Sequence, residues 1–156
     1  MAELKAKLQA DLAAAMKQKE TVTVASLRMA LAAISTEEVA GKTAKELTDD
    51  EVRRVLAREL KKRKEAAEAF AGAGRAEQAA AELAEGEVLS AYLPAQLADA
   101  ELADLVGQAV AELTTQLGEK PGPKQLGQVM KAANAKVAGR ADGGRVAALV
   151  KATLLG

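Results

Sequence analysis

Apolar residues recur at helical spacing along almost the whole chain, and no stretch alternates as a half-buried strand would. Leu4, Leu8, Leu12 and Met16 fall every fourth residue and predict a first helix ending near Gln18. Thr21 is placed to cap a second, whose apolar side is Val24, Leu27, Leu31 and Ile34 and whose pattern fades near Gly41. The two read as an antiparallel hairpin. Thr48-Asp49-Asp50-Glu51 spells a capping box, with a hydroxyl for the amide of Glu51 and a carboxylate reaching back. Its two aspartates also suit the positive end of a helix. That helix continues through Val52, Val55, Leu56 and Leu60 towards Phe70, until Ala71-Gly72-Ala73-Gly74 breaks it. Another spans about Arg75 to Tyr92, and Pro94 closes the segment because the residue before a proline is driven out of helical geometry.

Residues 92–98 are the candidate hinge, dividing the chain into an N-terminal helical domain (1–92) and a C-terminal domain (93–156). Past the hinge, Asp99 can cap a helix carrying Leu102, Leu105, Val106, Ala109, Val110 and Leu113 on one side. The run from Gly118 to Pro123 is a loop, and Pro123 suits a helix start. Leu126, Val129, Met130, Ala133 and Val137 then repeat at helical spacing up to Gly139, and Asp142 can cap a last helix with Val146, Leu149, Val150, Thr153 and Leu154 inward. The expected fold is all-α: a hairpin plus a long basic helix, followed by a three-helix C-terminal bundle.

Composition narrows the chemistry. Hydrophobic residues make up 49% of the chain, yet there is one Phe, one Tyr and no Trp, so Ala, Leu and Val must close the cores. No Cys is present, which removes disulfides and zinc fingers. The absence of His removes the side chain best suited to proton transfer near pH 7. No apolar run approaches the roughly 18 residues of a membrane span, and Met1-Ala2-Glu3-Leu4-Lys5 lacks a signal-peptide core. A cytosolic protein without cofactor or metal is the expectation.

Net charge is zero, but its distribution is not uniform. Residues 53–64 hold seven basic and one acidic side chain, a net +6; residues 65–118 hold one basic and ten acidic, −9; residues 119–156 hold seven basic and two acidic, +5. With screening over roughly 8 Å at physiological salt, a partner senses the patches and not their sum.

Two constellations follow. Arg54, Arg58, Lys61 and Lys62 cluster on the third helix, where like charges cost about 0.2–0.5 kcal/mol per pair. They form either an anion-binding patch or a solvated face laced with pairs such as Asp50–Arg54, Glu59–Arg63, Lys61–Glu65 and Lys64–Glu68. In the C-terminal region Gly127, Lys131, Asn134 and Ala138 share one helical stripe, with Lys124 just before it. From spacing alone the favoured reason for Gly127 is close approach of a neighbouring helix; the alternative is a phosphodiester backbone gripped by Lys131 and Asn134. Arg140-Ala141-Asp142-Gly143-Gly144-Arg145 then sets two guanidinium groups around a glycine-rich helix start, a plausible phosphate cradle. Catalysis has no foothold: Ser26, Ser35 and Ser90 lack a His partner or a nucleophile elbow, and no glycine-rich loop leads into Lys-Ser/Thr.

In order and spacing, Leu27-Arg28-Met29, Glu59 to Ala66, Arg75, Tyr92 to Leu97, Gly127 to Lys131 and Gly139 to Gly143 together resemble the YqeY family. These are stand-alone relatives of the tail domain of GatB, a subunit of tRNA-dependent amidotransferases. The resemblance implies tRNA-linked work, since that tail domain touches the outer elbow of tRNA and similar modules occur fused to tRNA-charging enzymes. Candidate RNA contacts are Lys124, Gly127, Lys131, Asn134, Arg140, Gly143 and Arg145. It does not bring amidotransfer chemistry, whose parts have no counterpart in this chain. The expected function is a non-catalytic tRNA-binding accessory protein, working with a tRNA synthetase or amidotransferase, with neither DNA nor membrane as partner. The rival is a helical protein–protein adaptor.

Overall fold

The computed structural model describes residues 2–155; Met1, where the reading of the N-terminus begins, and Gly156 lie outside the described residues. These residues form seven α-helices, one 3-10 turn at Pro123–Gln125 and no strand. The helices are α1 (Glu3–Gln18), α2 (Thr21–Glu38), α3 (Asp49–Gly72), α4 (Ala76–Ser90), α5 (Asp99–Leu117), α6 (Leu126–Val137) and α7 (Gly143–Leu155). The chain divides into two compact units, Met1–Leu93 and Pro94–Gly156, each with a buried apolar cluster of its own.

In the first unit α2 touches α1, α3 and α4, and places Leu27, Ala30 and Ile34 in a core with Leu8, Val52, Leu56 and Leu89. Ser26 is fully buried beside them, its hydroxyl donating to the Val22 carbonyl at 2.8 Å so that no polar group is stranded. On α1 the expected stripe holds for Leu8 but not for Met16, which is half exposed, while Ala15 turns inward. Steps of four residues drift by roughly 40° each around a helix of 3.6 residues per turn, so the fourth member leaves the core face. Thr21 does not cap α2. It is the first helical residue after Glu20, and no side chain bonds that end. The left-handed Lys19 (φ 59°) reverses the chain there, and the Glu20 carbonyl accepts the Val24 N–H at 2.9 Å, so turn geometry sets the start.

The start of α3 is as its sequence dictates: Thr48 Oγ1 accepts the Glu51 N–H at 3.2 Å, and the Glu51 carboxylate accepts the Thr48 N–H at 2.9 Å. Asp49 accepts the backbone N–H of Leu4 at 3.0 Å, docking the first turn of α1 onto the first turn of α3. At the other end Gly74 is left-handed (φ 76°), and the Arg75 N–H reaches the Phe70 carbonyl at 2.8 Å in a Schellman closure that only glycine adopts without strain. The chain then returns as α4, in the most extensive helix contact of the protein. Gly86 permits it: a Cβ there would lie 3.1 Å from Leu60 Cδ1. Along the same contact Arg63 reaches Glu59 and Glu82, both at 3.4 Å, and Glu85 at 3.8 Å, with Glu59 only 7% exposed.

Beyond α4, Tyr92 fastens the end of this unit to α1. Its hydroxyl donates to Asp11 at 2.5 Å, Lys7 pairs with the same carboxylate at 3.1 Å, and Lys7 Nζ lies 5.3 Å from the ring centroid. The tyrosine hydrogen bond, then Lys7, holds the Asp11 carboxyl below its ordinary range. Burial, then the neighbouring carboxylate, pushes the Tyr92 hydroxyl well above its own.

In the second unit α5, α6 and α7 each touch the other two and enclose Leu102, Val106, Ala109, Val129, Val137, Val146 and Val150. Asp99 is not the cap of α5. It is the first helical residue after Ala98, whose N–H is accepted by Glu101 at 3.1 Å, so a carboxylate reaching back from the first turn takes the place of the expected Asp99 cap. Pro123 opens the 3-10 turn, and the helix proper begins at Leu126. It closes through two consecutive left-handed residues, Ala138 (φ 51°) and Gly139 (φ 78°), one residue earlier than the glycine alone suggests.

Replacing Tyr92 by Phe removes one hydrogen bond to a charged, partly exposed carboxylate and is expected to cost about 1 kcal/mol in urea unfolding. Asp11 is depressed in the fold, so its share of that loss is present above the unfolded value of 3.8 and disappears as pH falls through the folded one. Tyr92 is raised in the fold, so its share is present below 10.0 and disappears as pH climbs past it. The difference between wild type and Tyr92→Phe should therefore be flat across neutral pH and shrink at both extremes.

Candidate nucleic-acid interface

α6 buries Val129, Ala133 and Val137, and helical geometry then turns Gly127, Lys131 and Asn134 outward, where all three are exposed. Lys124 is exposed on the preceding 3-10 turn. Gly127 is not a helix-packing glycine: a Cβ added there meets nothing within 4 Å. It is also the second residue of α6 rather than a mid-helix one, so the usual cost of about 1 kcal/mol for interior glycine overstates its burden. Openness alone does not make a site, since Gly107 in the middle of α5 is equally free of neighbours.

The turn between α6 and α7 separates two arginines that the sequence presents as a pair. Arg140 is partly buried, its carbonyl accepts the Leu97 N–H at 2.7 Å, and its guanidinium has no ion-pair partner among the described residues. Arg145 is committed. Its Nη2 donates to the Leu97 carbonyl at 3.1 Å and to Asp99 at 2.8 Å. Leu97 is thus held on both its backbone groups, one by each arginine, which moors the start of α5 to the α6–α7 turn. The glycines divide as well. Gly143 is open, whereas a Cβ at Gly144 would come within 3.3 Å of the Asp142 carboxylate, which lies over the first turn of α7. The Asp142 carbonyl accepts the Val146 N–H at 3.1 Å.

Charge is segregated within this unit. Residues 99–117 carry four acidic and no basic side chains; residues 123–155 carry six basic and one acidic, a net +5. Lys136 pairs with Glu112 and Arg145 with Asp99, which ties the two faces together. Lys124 on the 3-10 turn, Lys131 on α6 and Arg140 on the turn that follows have no ion-pair partner among the described residues. The same segment carries two open glycines, Gly127 and Gly143.

The basic patch on α3 is different. Arg54, Arg58, Lys61 and Lys62 are all exposed, but Arg58 pairs with Glu37 at 3.2 Å and Lys62 with Glu59 at 3.1 Å, and Lys61 is also engaged. Asp50 pairs with Arg53 at 2.8 Å rather than with Arg54, and no Lys64–Glu68 pair forms. Like charges here are settled mostly within the fold. Of the pairs expected from spacing, Glu59–Arg63 forms at 3.4 Å, but spacing did not reveal the Arg63–Glu82 contact or the Tyr92–Asp11 bond, whose partners lie 19 and 81 residues apart.

Arg145→Ala is expected to destabilise the second unit by about 1–2 kcal/mol, because a backbone carbonyl loses a charged donor. Asp99→Asn should cost less than about 0.5 kcal/mol, its carboxylate being 99% exposed. Urea denaturation of both variants checks this, and equal losses would assign the clamp to the ion pair instead.

Among the described residues no helix is long and apolar enough to cross a membrane, and no group of three or more acidic, His or Cys side chains could hold a metal ion. Comparison with curated proteins gives no match. The family model described as Yqey-like protein matches residues 5–154, which is nearly the whole chain, and the chain belongs to that family.

Proposed function

We propose that this chain is a non-catalytic, cytosolic tRNA-binding accessory protein of the GatB/YqeY type, serving tRNA-dependent amidation or aminoacylation beside a synthetase or amidotransferase. Its seat for RNA is the outer side of α6 and the turn that follows. The observation that carries this reading is the set of three cations without ion-pair partners, Lys124, Lys131 and Arg140, next to the open Gly127 and Gly143. Cations that a fold leaves unneutralised keep their full attraction for phosphate, and a residue without a side chain lets a sugar–phosphate ridge approach the backbone. Asn134 supplies a neutral donor on the same stripe. With almost no aromatic side chains, recognition rests on shape and backbone rather than on base stacking. Arg145 positions the turn through Leu97 and leaves direct contact to Arg140. The same cations could take an acidic protein surface; a stoichiometric protein partner that survives ribonuclease would favour that adaptor.

Titration of unfractionated tRNA at 50 and 200 mM salt tests the reading. Three phosphate contacts predict an affinity drop of about twenty- to fortyfold between the two. Lys131→Glu and Arg140→Glu should each weaken binding about tenfold or more at low salt and lower the salt slope by about one, with unchanged helicity by circular dichroism. Absence of binding at low salt, or two variants with wild-type affinity, overturns it.

A further inference from the structure

We propose that the outer side of the α3–α4 pair is a self-association surface, joining two copies of this chain about a twofold axis. The inference rests on the first unit alone and does not depend on RNA binding. A cleft of about 280 Å³ beside the α3–α4 contact is lined by the buried Leu60 and Gly86 and by Leu83. Lys64 stands on its α3 rim and Glu87 on its α4 rim. Leu83 is 52% exposed, in a chain where most leucines are buried or packed against a core.

The charges on the rims select the occupant. Arg63, deeper in the same contact, is surrounded by Glu59, Glu82 and Glu85. Lys64 and Glu87 have no ion-pair partner among the described residues, although both are exposed and border one cleft. α4 carries four carboxylates and no cation, and Arg63 takes two of them, Glu82 and Glu85, which leaves Glu87 facing the cleft unpaired among the described residues. A surface with a cationic rim, an apolar floor and an anionic rim is complementary to itself after rotation by 180°. In that arrangement Lys64 of each copy meets Glu87 of the other, and the two Leu83 side chains meet near the axis. A polyanion would satisfy Lys64 and be repelled by α4. A partner of the opposite sign would leave Lys64 unmatched. A second copy matches both.

The face is small. Two helices of about fifteen residues present an outline on the order of 450 Å² per copy, at the low end of specific interfaces. A reversible dimer with a dissociation constant on the order of 10–100 µM is expected.

Sedimentation velocity of the nuclease-treated full chain, from well below to well above that range, reads the equilibrium. The wild type should shift from monomer to dimer with concentration. Lys64→Glu and Glu87→Lys should each weaken it about five- to tenfold, since each loses both symmetric pairs and gains repulsion. The double variant should restore it, which a folding defect would not do. Because the chain has no native cysteine, Leu83→Cys places a single thiol near the axis. A short bismaleimide should link it far faster than a cysteine at Leu117, which is 42% exposed in the second unit. A wild type monomeric at every concentration, single variants that weaken association without rescue by the double, or equal linking at the two positions each overturns the proposal.

Discussion

A chain with one Phe, one Tyr and no Trp cannot fill wide interiors, so its helices must come close to one another. Close approach demands small side chains at the contacts: Ala30 and Ser26 on α2, Gly86 on α4, Ala109 on α5 and Ala133 on α6 are all buried. Each helix thereby gives a narrow stripe to the core and a wide remainder to its surface. That remainder has to be polar, and 28% of the chain is charged. Much else in the protein follows from how those charges are settled.

They are settled unevenly. On α3 most of the cations find carboxylates on α2, on α3 itself and on α4, Arg54 and Lys64 excepted among the described residues, and a guanidinium with a nearly buried Glu59 is drawn into the helix contact. Buried pairing of this kind adds little net stability, because desolvation offsets most of the attraction. Among the described residues of the second unit fewer pairs form: Glu112 takes Lys136 on α6, Asp99 takes Arg145 on α7, and Lys124, Lys131 and Arg140 keep their charge. Two basic segments of similar composition thus differ in the charge they leave for a partner.

The connections are specified by another currency, backbone hydrogen bonds at helix ends. Gly74 closes α3, Gly118 closes α5 and Gly139 follows the left-handed Ala138 that closes α6. At the N-terminal ends side chains do the work only where they are locally suited: Thr48 and Glu51 cap α3 reciprocally, while α1 and α2 have no side-chain cap. Tertiary contacts then fix the ends in space. Asp49 holds Leu4, Tyr92 holds Asp11, and Arg140 and Arg145 together hold Leu97.

The sequence by itself determined that the chain is helical, because a period near 3.6 in Leu, Val and Ala admits no sheet, and it located the helix breaks at Gly74 and before Pro94. It also determined that Gly127, Lys131 and Asn134 share a face, since that depends only on helical spacing. What it could not determine was occupancy. Whether Gly127 is filled by a neighbouring helix, whether Arg145 is available, and whether Lys64 or Lys62 is already paired all depend on residues distant in the chain. Arg145 illustrates the limit: beside Gly143 and Gly144 it reads as part of an anion cradle, yet Leu97 and Asp99, 48 and 46 residues away, claim its donors. Local spacing fixes direction, and only packing decides which directions end in solvent.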